Sequence, residues 1–281
     1  MLVVDPTAVL PSPSRFAPRP APGSPQGTVF LPKEHGSWSL ALEPLALGLL
    51  AAPSLAGAAL ALAALAGFFA RRPLKAALAP GFIERRRTAR GTVVILSALT
   101  VAAFFETVLL GGVPDLWPLL LAAPLGGMFA WFDGQNESRT AAAELAGSAT
   151  FALLPAAFAT LAGWAWPAAL ALAALALVRS VPTVLTVRTC LRLGKNQPVN
   201  ARLPLAAGVL ALGLTVGLVG RHLVPVVAVG LVALLLVRTV FFVISLRPAW
   251  PAKRIGMTEA AFGVLYVGVL ALAYHRAAGL S

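Results

Sequence analysis

The chain is short of charge. Only 11% of its 281 residues are Asp, Glu, Lys or Arg, against about 25% in an ordinary soluble domain. That is too little polar side chain to cover a surface facing water. It has one cysteine, Cys190, which excludes a disulfide-stapled secreted scaffold. Its three histidines, His35, His222 and His275, stand far apart, and no His/Cys spacing suits a zinc site. A phosphate-binding loop and a Gly-x-Ser-x-Gly turn are also missing, so no soluble catalytic class is signalled. Acid is scarcer than base, with 10 Asp and Glu against 22 Lys and Arg, for a net charge of +12.

Apolar residue is what the chain has in plenty, at 59% and a mean hydropathy of +0.86. This excludes a disordered chain and leaves an all-α polytopic membrane protein. Apolar runs recur at about 37–53, 54–70, 91–112, 114–132, 144–163, 165–187, 204–220, 222–246 and 258–275. Each approaches the ~20 residues needed to cross the hydrocarbon at ~1.5 Å per residue. Pro53 and the length of 37–70 favour two helices there rather than one. About nine transmembrane helices are therefore expected, rich in Ala and Leu, with backbone groups bonded inside each segment. Glycines within the spans, Gly147, Gly208, Gly213 and Gly263 among them, let helices approach closely.

Residues 1–30 are read as a disordered, Pro-rich cytoplasmic tail, and 31–281 as a single transmembrane domain. With nine spans, the basic joints fall on one side: Arg71 to Arg90, Arg188 to Arg202, and Arg247 to Arg254. The positive-inside rule then places the N-terminus in the cytoplasm and the C-terminus outside. The net charge thus orients the chain and attracts anionic lipid, and no nucleic-acid partner is expected. Trp117, Trp164, Trp166 and Trp250 stand near span ends, as interfacial anchors do.

Polar residues inside spans need a reason. Four clusters stand out. The first is Lys33, Glu34 and His35 with Glu43; on a helix His35, Ser39 and Glu43 fall within about 80° of one another. The second is Arg71, Arg72 and Lys75, suited to phosphate. The third is Asp133, Asn136 and Glu137 with Arg139, Thr140 and Glu144. If helical throughout, Asp133, Glu137, Thr140 and Glu144 form one stripe, although Gly134 weakens that assumption. The fourth is Arg179 followed by Arg188, Arg192, Lys195 and Asn196. Arg179 needs an acidic or phosphate partner, for which Glu43 and Glu144 are the candidates. Arg238 and Glu106 read as isolated charges. Cys190 lies near basic residues that would favour its thiolate. Each cluster also has a bland reading, as interfacial anchor, topology signal or satisfied surface.

The segment Lys33-Glu34-His35-Gly36-Ser37-Trp38 resembles the opening of the YwiC-like family of bacterial membrane proteins. The run Arg72-Pro73-Leu74-Lys75 and the span pattern fit the same resemblance. It implies a bacterial cytoplasmic-membrane protein and carries no activity. A more distant resemblance is to UbiA-type intramembrane prenyltransferases, in the helix number and in Glu144-Leu145-Ala146-Gly147. It implies a UbiA-like helical bundle with a cytoplasmic cavity. In that family acidic motifs after the second and sixth helices hold magnesium and a prenyl diphosphate. Here those places hold Arg71, Arg72 and Lys75, and Arg188, Arg192 and Lys195. No carboxylate occurs between Glu144 and Glu259.

Three functions follow from these residues. The first is a binder of an anionic isoprenoid or phospholipid in a basic cytoplasmic cavity, with no metal and no cofactor. Lys33, His35, Glu43, Arg71, Arg72, Lys75, Asn136, Arg179, Arg188, Arg192 and Lys195 would line it. Asp133, Glu137 and Glu144 would orient the arginines. The second is a prenyltransferase with a displaced metal site at Asp133 and Glu137. The third is a secondary transporter with Glu43, His35 and Arg179 as a proton relay. Whether the protein is an enzyme stays open at this point.

Overall fold

A computed structural model describes the backbone over residues 35–78, 83–244 and 250–278, and side chains over 41–78, 86–244 and 250–277. The tail, Lys33, Glu34 and the side chain of His35 lie outside the described residues. Within them the chain forms nine α-helices and no strand: α1 His35–Ala51, α2 Leu55–Leu78, α3 Ile83–Gly111, α4 Leu119–Gly134, α5 Ala141–Leu161, α6 Trp166–Leu193, α7 Arg202–Gly220, α8 Val227–Ile244 and α9 Ala252–Ala278. A 3-10 turn, Pro114–Leu116, precedes α4. Seven of the helices are long and apolar enough to cross a membrane, and α1 and α4 are shorter apolar helices. This is the architecture of a polytopic membrane protein.

Local chemistry explains the breaks. Pro53 separates α1 from α2, and Ser54 caps α2 by accepting from the Gly57 amide at 2.9 Å. Thr140 caps α5, accepting from the Ala143 amide at 3.3 Å. Asn136 and Asn196 hold positive φ, 60° and 54°, in the turns that follow α4 and α6; the left-handed region suits asparagine better than most residues. The continuous helical stripe from Asp133 to Glu144 is therefore broken, because residues 135–140 turn instead of continuing the helix.

Three helices run past the apolar stretches that reveal them. α2 continues through Arg71, Arg72 and Lys75, α3 begins well before residue 91, and α6 continues through Arg188 and Arg192. The basic side chains thus ride on rigid helical turns rather than on loops.

α6 is the centre of the bundle. It packs against α1, α5, α7, α8 and α9, and 67% of its most apolar stretch is buried against 11% for α3. α3 leans chiefly on α2. Leu172, Leu175, Val232, Tyr266 and Leu270 form the main apolar core. A second core around Leu45, Leu60, Leu154 and Phe158 joins α1, α2 and α5. In lipid, helices gain from close packing rather than from leaving water. Phe158 shows this: it is fully buried and lies so close to Gly48 that a Cβ there would enter its ring.

Side-chain contacts show which helix ends lie together. Arg71 and Lys75 of α2 reach Asp133 of α4. Arg188 of α6 reaches Glu144 of α5 and the Arg139 carbonyl between α4 and α5. Cys190 of α6, Phe242 of α8 and Ile255 of α9 share one small core with Trp250. At the opposite end, Trp164 packs on Tyr274 with ring centres 5.3 Å apart. The basic joints therefore gather at one end of the bundle.

The packing yields a contrast. Gly48→Ala overpacks against Phe158, a fault worth about 1–3 kcal/mol, and lowers the thermal midpoint in detergent. Gly213→Ala, with nothing within 4 Å of its added Cβ, leaves the midpoint unchanged or slightly raised. Differential scanning fluorimetry of the two purified variants checks this.

Candidate functional site

The most unusual feature of the interior is a quartet of charges at the meeting of α1, α6, α8 and α9. Arg179, Arg238 and Glu259 are each 3–4% exposed, and the Glu43 side chain is 17% exposed. Arg179 is the hub. Its Nη2 donates to Glu43 Oε1 at 3.4 Å and to the Glu259 backbone carbonyl at 2.9 Å. Its Nε lies 3.2 Å from Glu43 Oε2. Its Nη1 donates to Glu259 Oε2 at 3.2 Å and also to Thr183 Oγ1. Arg238 Nη1 donates to the same Glu259 Oε2, and its Nη2 donates to Thr239 Oγ1 at 3.2 Å. Thr239 in turn lies 3.2 Å from Thr186, hydroxyl to hydroxyl. Two guanidiniums and two carboxylates thus balance to zero net charge in a region where an unpaired charge is costly.

Gly263 of α9 makes room for this arrangement. A Cβ at that position would collide with the Glu43 carboxylate. Glu259 Oε1 and the Nε atoms of Arg179 and Arg238 are buried with no hydrogen-bond partner among the described residues. The quartet is complete in charge and incomplete in hydrogen bonding.

Two further groups lie at the basic end. Asp133, with its side chain 7% exposed, receives Lys75 Nζ at 2.7 Å and Arg71 Nε at 3.3 Å. Arg71 also lies over the rings of Phe129 and Phe68, at 4.8 and 5.6 Å from their centres. Such cation–π contacts hold a guanidinium while leaving its edge for other partners. The second group is Arg188, whose Nη1 donates to Glu144 Oε2 at 2.6 Å and to the Arg139 carbonyl at 2.9 Å. Arg192 and Lys195 are exposed nearby in sequence, and so is Glu137. Asn136 is a turn residue whose amide donates to the Asp133 carbonyl at 3.1 Å.

Sequence and structure agree on part of this. Glu43 does partner Arg179. Glu144 instead partners Arg188, because it lies in the first turn of α5, beside the last turns of α6. Arg238 is not isolated: it pairs with Glu259, which sequence reasoning left without a role. The available signal was one acid and one base set in the apolar runs of neighbouring spans. Cys190 is not in a basic setting. It lies two residues from Arg188, and so on the other face of α6, buried among Val187, Phe242, Ile255 and Trp250. Glu106 is exposed on α3. The metal site expected at Asp133 and Glu137 finds the Asp133 carboxylate engaged by two cations. No group of three or more His, Cys, Asp or Glu side chains able to hold a metal gathers among the described residues.

These features define a polytopic α-helical membrane protein with an ion-paired interior. Residues 31–158, from the Lys33–Trp38 motif into α5, match the family model described as YwiC-like protein. No curated protein and no solved structure matches the chain.

The two kinds of ion pair should respond differently to mutation. Glu259→Leu leaves two buried guanidiniums short of charge and costs about 3–5 kcal/mol. Glu144→Leu opens a half-exposed pair and costs under about 1 kcal/mol. Replacing Arg238 and Glu259 together by leucine restores neutrality and recovers much of the loss. Denaturant titration of the three proteins in mild detergent measures the order.

Proposed function

We propose that the protein binds the phosphate-bearing headgroup of an anionic isoprenoid or phospholipid at its basic end, with the acyl or prenyl chain among the apolar helices. One observation carries the reading. At Asp133 two cations meet one acid, and Arg71 and Lys75 keep 33% and 38% of their side chains exposed. The surplus positive charge there is fixed on a helix, laid against aromatic rings, and open to the surroundings. Arg72 is the next residue on α2. Arg188, Arg192 and Lys195 extend the basic surface across α6, with Glu144 orienting Arg188. Guanidinium edges suit phosphate oxygens, and an ammonium adds point charge. On the same reading the basic end faces the cytoplasm of a bacterial inner membrane, with the N-terminus inside and the C-terminus outside.

The engagement of Asp133 by Arg71 and Lys75 favours this reading over a prenyltransferase built on a displaced metal. A second reading, proton-coupled transport, is favoured by a different observation, the charge quartet at Arg179.

Lipid carried through purification tests the first reading. Wild type retains anionic phospholipid or polyprenyl phosphate over zwitterionic lipid. The Arg71→Ala, Lys75→Ala double variant and Arg188→Ala each retain at least several-fold less, while Arg221→Ala at the opposite end retains as much as wild type. Equal retention in all four proteins discards the proposal, and the class of lipid retained separates phospholipid from isoprenoid. Orientation is a separate measurement: a C-terminal phosphatase reporter active only outside the cytoplasm should be active.

A further inference from the structure

Arginine keeps its proton inside proteins, so the carboxylates of Glu43 and Glu259 are the groups of the quartet that can accept one. Glu259 takes charge from both guanidiniums and its side chain is 5% exposed, against 17% for Glu43. The Nε–Nη2 edge of Arg179 faces the two oxygens of Glu43, at 3.2 and 3.4 Å. That edge is the fork by which guanidinium recognises a carboxylate, and here Glu43 engages half of it: Nη2 donates to Oε1, while Nε stands at ion-pair distance from Oε2 with no hydrogen-bond partner among the described residues. The carboxylate lies in the notch left by the missing side chain of Gly263. A carboxylate-sized space beside a carboxylate-shaped pair of donors is thus filled by the protein's own acid.

We propose that this is a proton-gated binding site for a small planar oxyanion, by chemistry a carboxylate. A proton taken up on Glu43 converts its carboxylate to the neutral acid and releases the fork of Arg179. The external anion then takes the fork over Gly263. Charge makes the two events one. A proton alone would leave the quartet with an uncompensated positive charge in a poorly screened interior. An anion alone would add an uncompensated negative charge and compete with Glu43. Together they restore neutrality, so proton and anion bind one to one and each strengthens the other.

Among the described residues, other charged or titratable groups on the helices packed against Glu43 have partners of their own. α9 presents Glu259, bound to both arginines, and Tyr266, whose hydroxyl donates to the Leu175 carbonyl at 2.8 Å. Arg238 of α8 reaches Glu259. On α5 the ionisable residue is Glu144, held by Arg188. On α2 they are Arg71 and Lys75, held by Asp133, and Arg72. Pro44 lies inside α1 beside Glu43, and Pro182 inside α6 three residues beyond Arg179. A proline within a helix removes one backbone hydrogen bond and lets it bend, so Glu43 and Arg179 each sit near a bendable turn.

The inference deepens the transport reading by naming its substrate class and coupling, and rests on that reading only for movement across the membrane. The test uses the full chain in detergent and nitrate as the probe, which is planar like a carboxylate and does not itself titrate in the working range. Wild type should bind nitrate more tightly as pH falls, by about tenfold per pH unit, the slope of one linked proton. Nitrate added to wild type in weak buffer should draw one proton from solution per anion bound, a reading that needs no variant. Glu43→Gln, which imitates the protonated acid, should bind nitrate at every pH with no proton uptake. Absence of nitrate binding in both acidic wild type and Glu43→Gln overturns the proposal. So does binding without proton uptake in wild type, or an unchanged pH dependence in Glu43→Gln. Equal affinity for chloride overturns the planar fork. Anion uptake into vesicles is measured separately: gated binding without uptake removes the transport reading and leaves the site standing.

Discussion

The interior of this bundle is governed by the need for every charge carried into an apolar setting to find an opposite one. Arg179 and Arg238 lie within apolar helical runs, where a lone guanidinium would cost several kcal/mol. Two carboxylates from two other helices meet them. That requirement fixes how α1, α6, α8 and α9 stand, since a rotation of any one by a residue would take its charge out of reach. Apolar packing is less directive. The faces of these helices are lined by many similar small side chains, and similar faces can slide past one another. The ion pairs select one register among the arrangements that packing alone would tolerate.

Small residues make such selection physically possible. Glu43 reaches Arg179 because Gly263 leaves a notch on α9. Phe129 can serve as a floor for Arg71 because Gly147 of α5 offers no side chain to it; a Cβ there would stand 2.9 Å from the ring. Ala and Gly in this chain are more than compositional habit at these points. They set the depth to which a charged or aromatic neighbour can enter, and so determine where charge can be placed.

The helix count and the break at Pro53 were legible in the sequence, because apolar length and proline act locally. The partnership of Glu43 with Arg179 was legible as one of two candidates, since both lie deep in apolar runs; Glu144, the other, goes to Arg188. The role of Glu259 was not. Its partners lie 21 and 80 residues away in the chain, and nothing local distinguishes it from an interfacial acid at the start of a last helix. The stripe from Asp133 to Glu144 failed for a local reason that a sequence can only hint at: Asn136 takes a left-handed conformation and ends the helix. The basic residues of α2 and α6 do share one end of the bundle, but each set has an acid of its own, Asp133 for one and Glu144 for the other. A sequence shows how many acids are present and not how they are shared out.

That sharing crosses the boundary of the YwiC-like region. Glu43 and Glu144 fall within residues 31–158, and their arginines, Arg179 and Arg188, fall beyond it. α1 packs against α5 inside the region and against α9 outside it. Two acids of the first part are thus satisfied by bases of the second, while Asp133 finds Arg71 and Lys75 within its own part, and α1 is held from both sides. Neither part balances its own buried charge. α6 supplies what the YwiC-like helices lack, and those helices supply half of what α6 needs. For that reason the helices beyond residue 158 are tied to the helices before it by shared ion pairs as well as by packing.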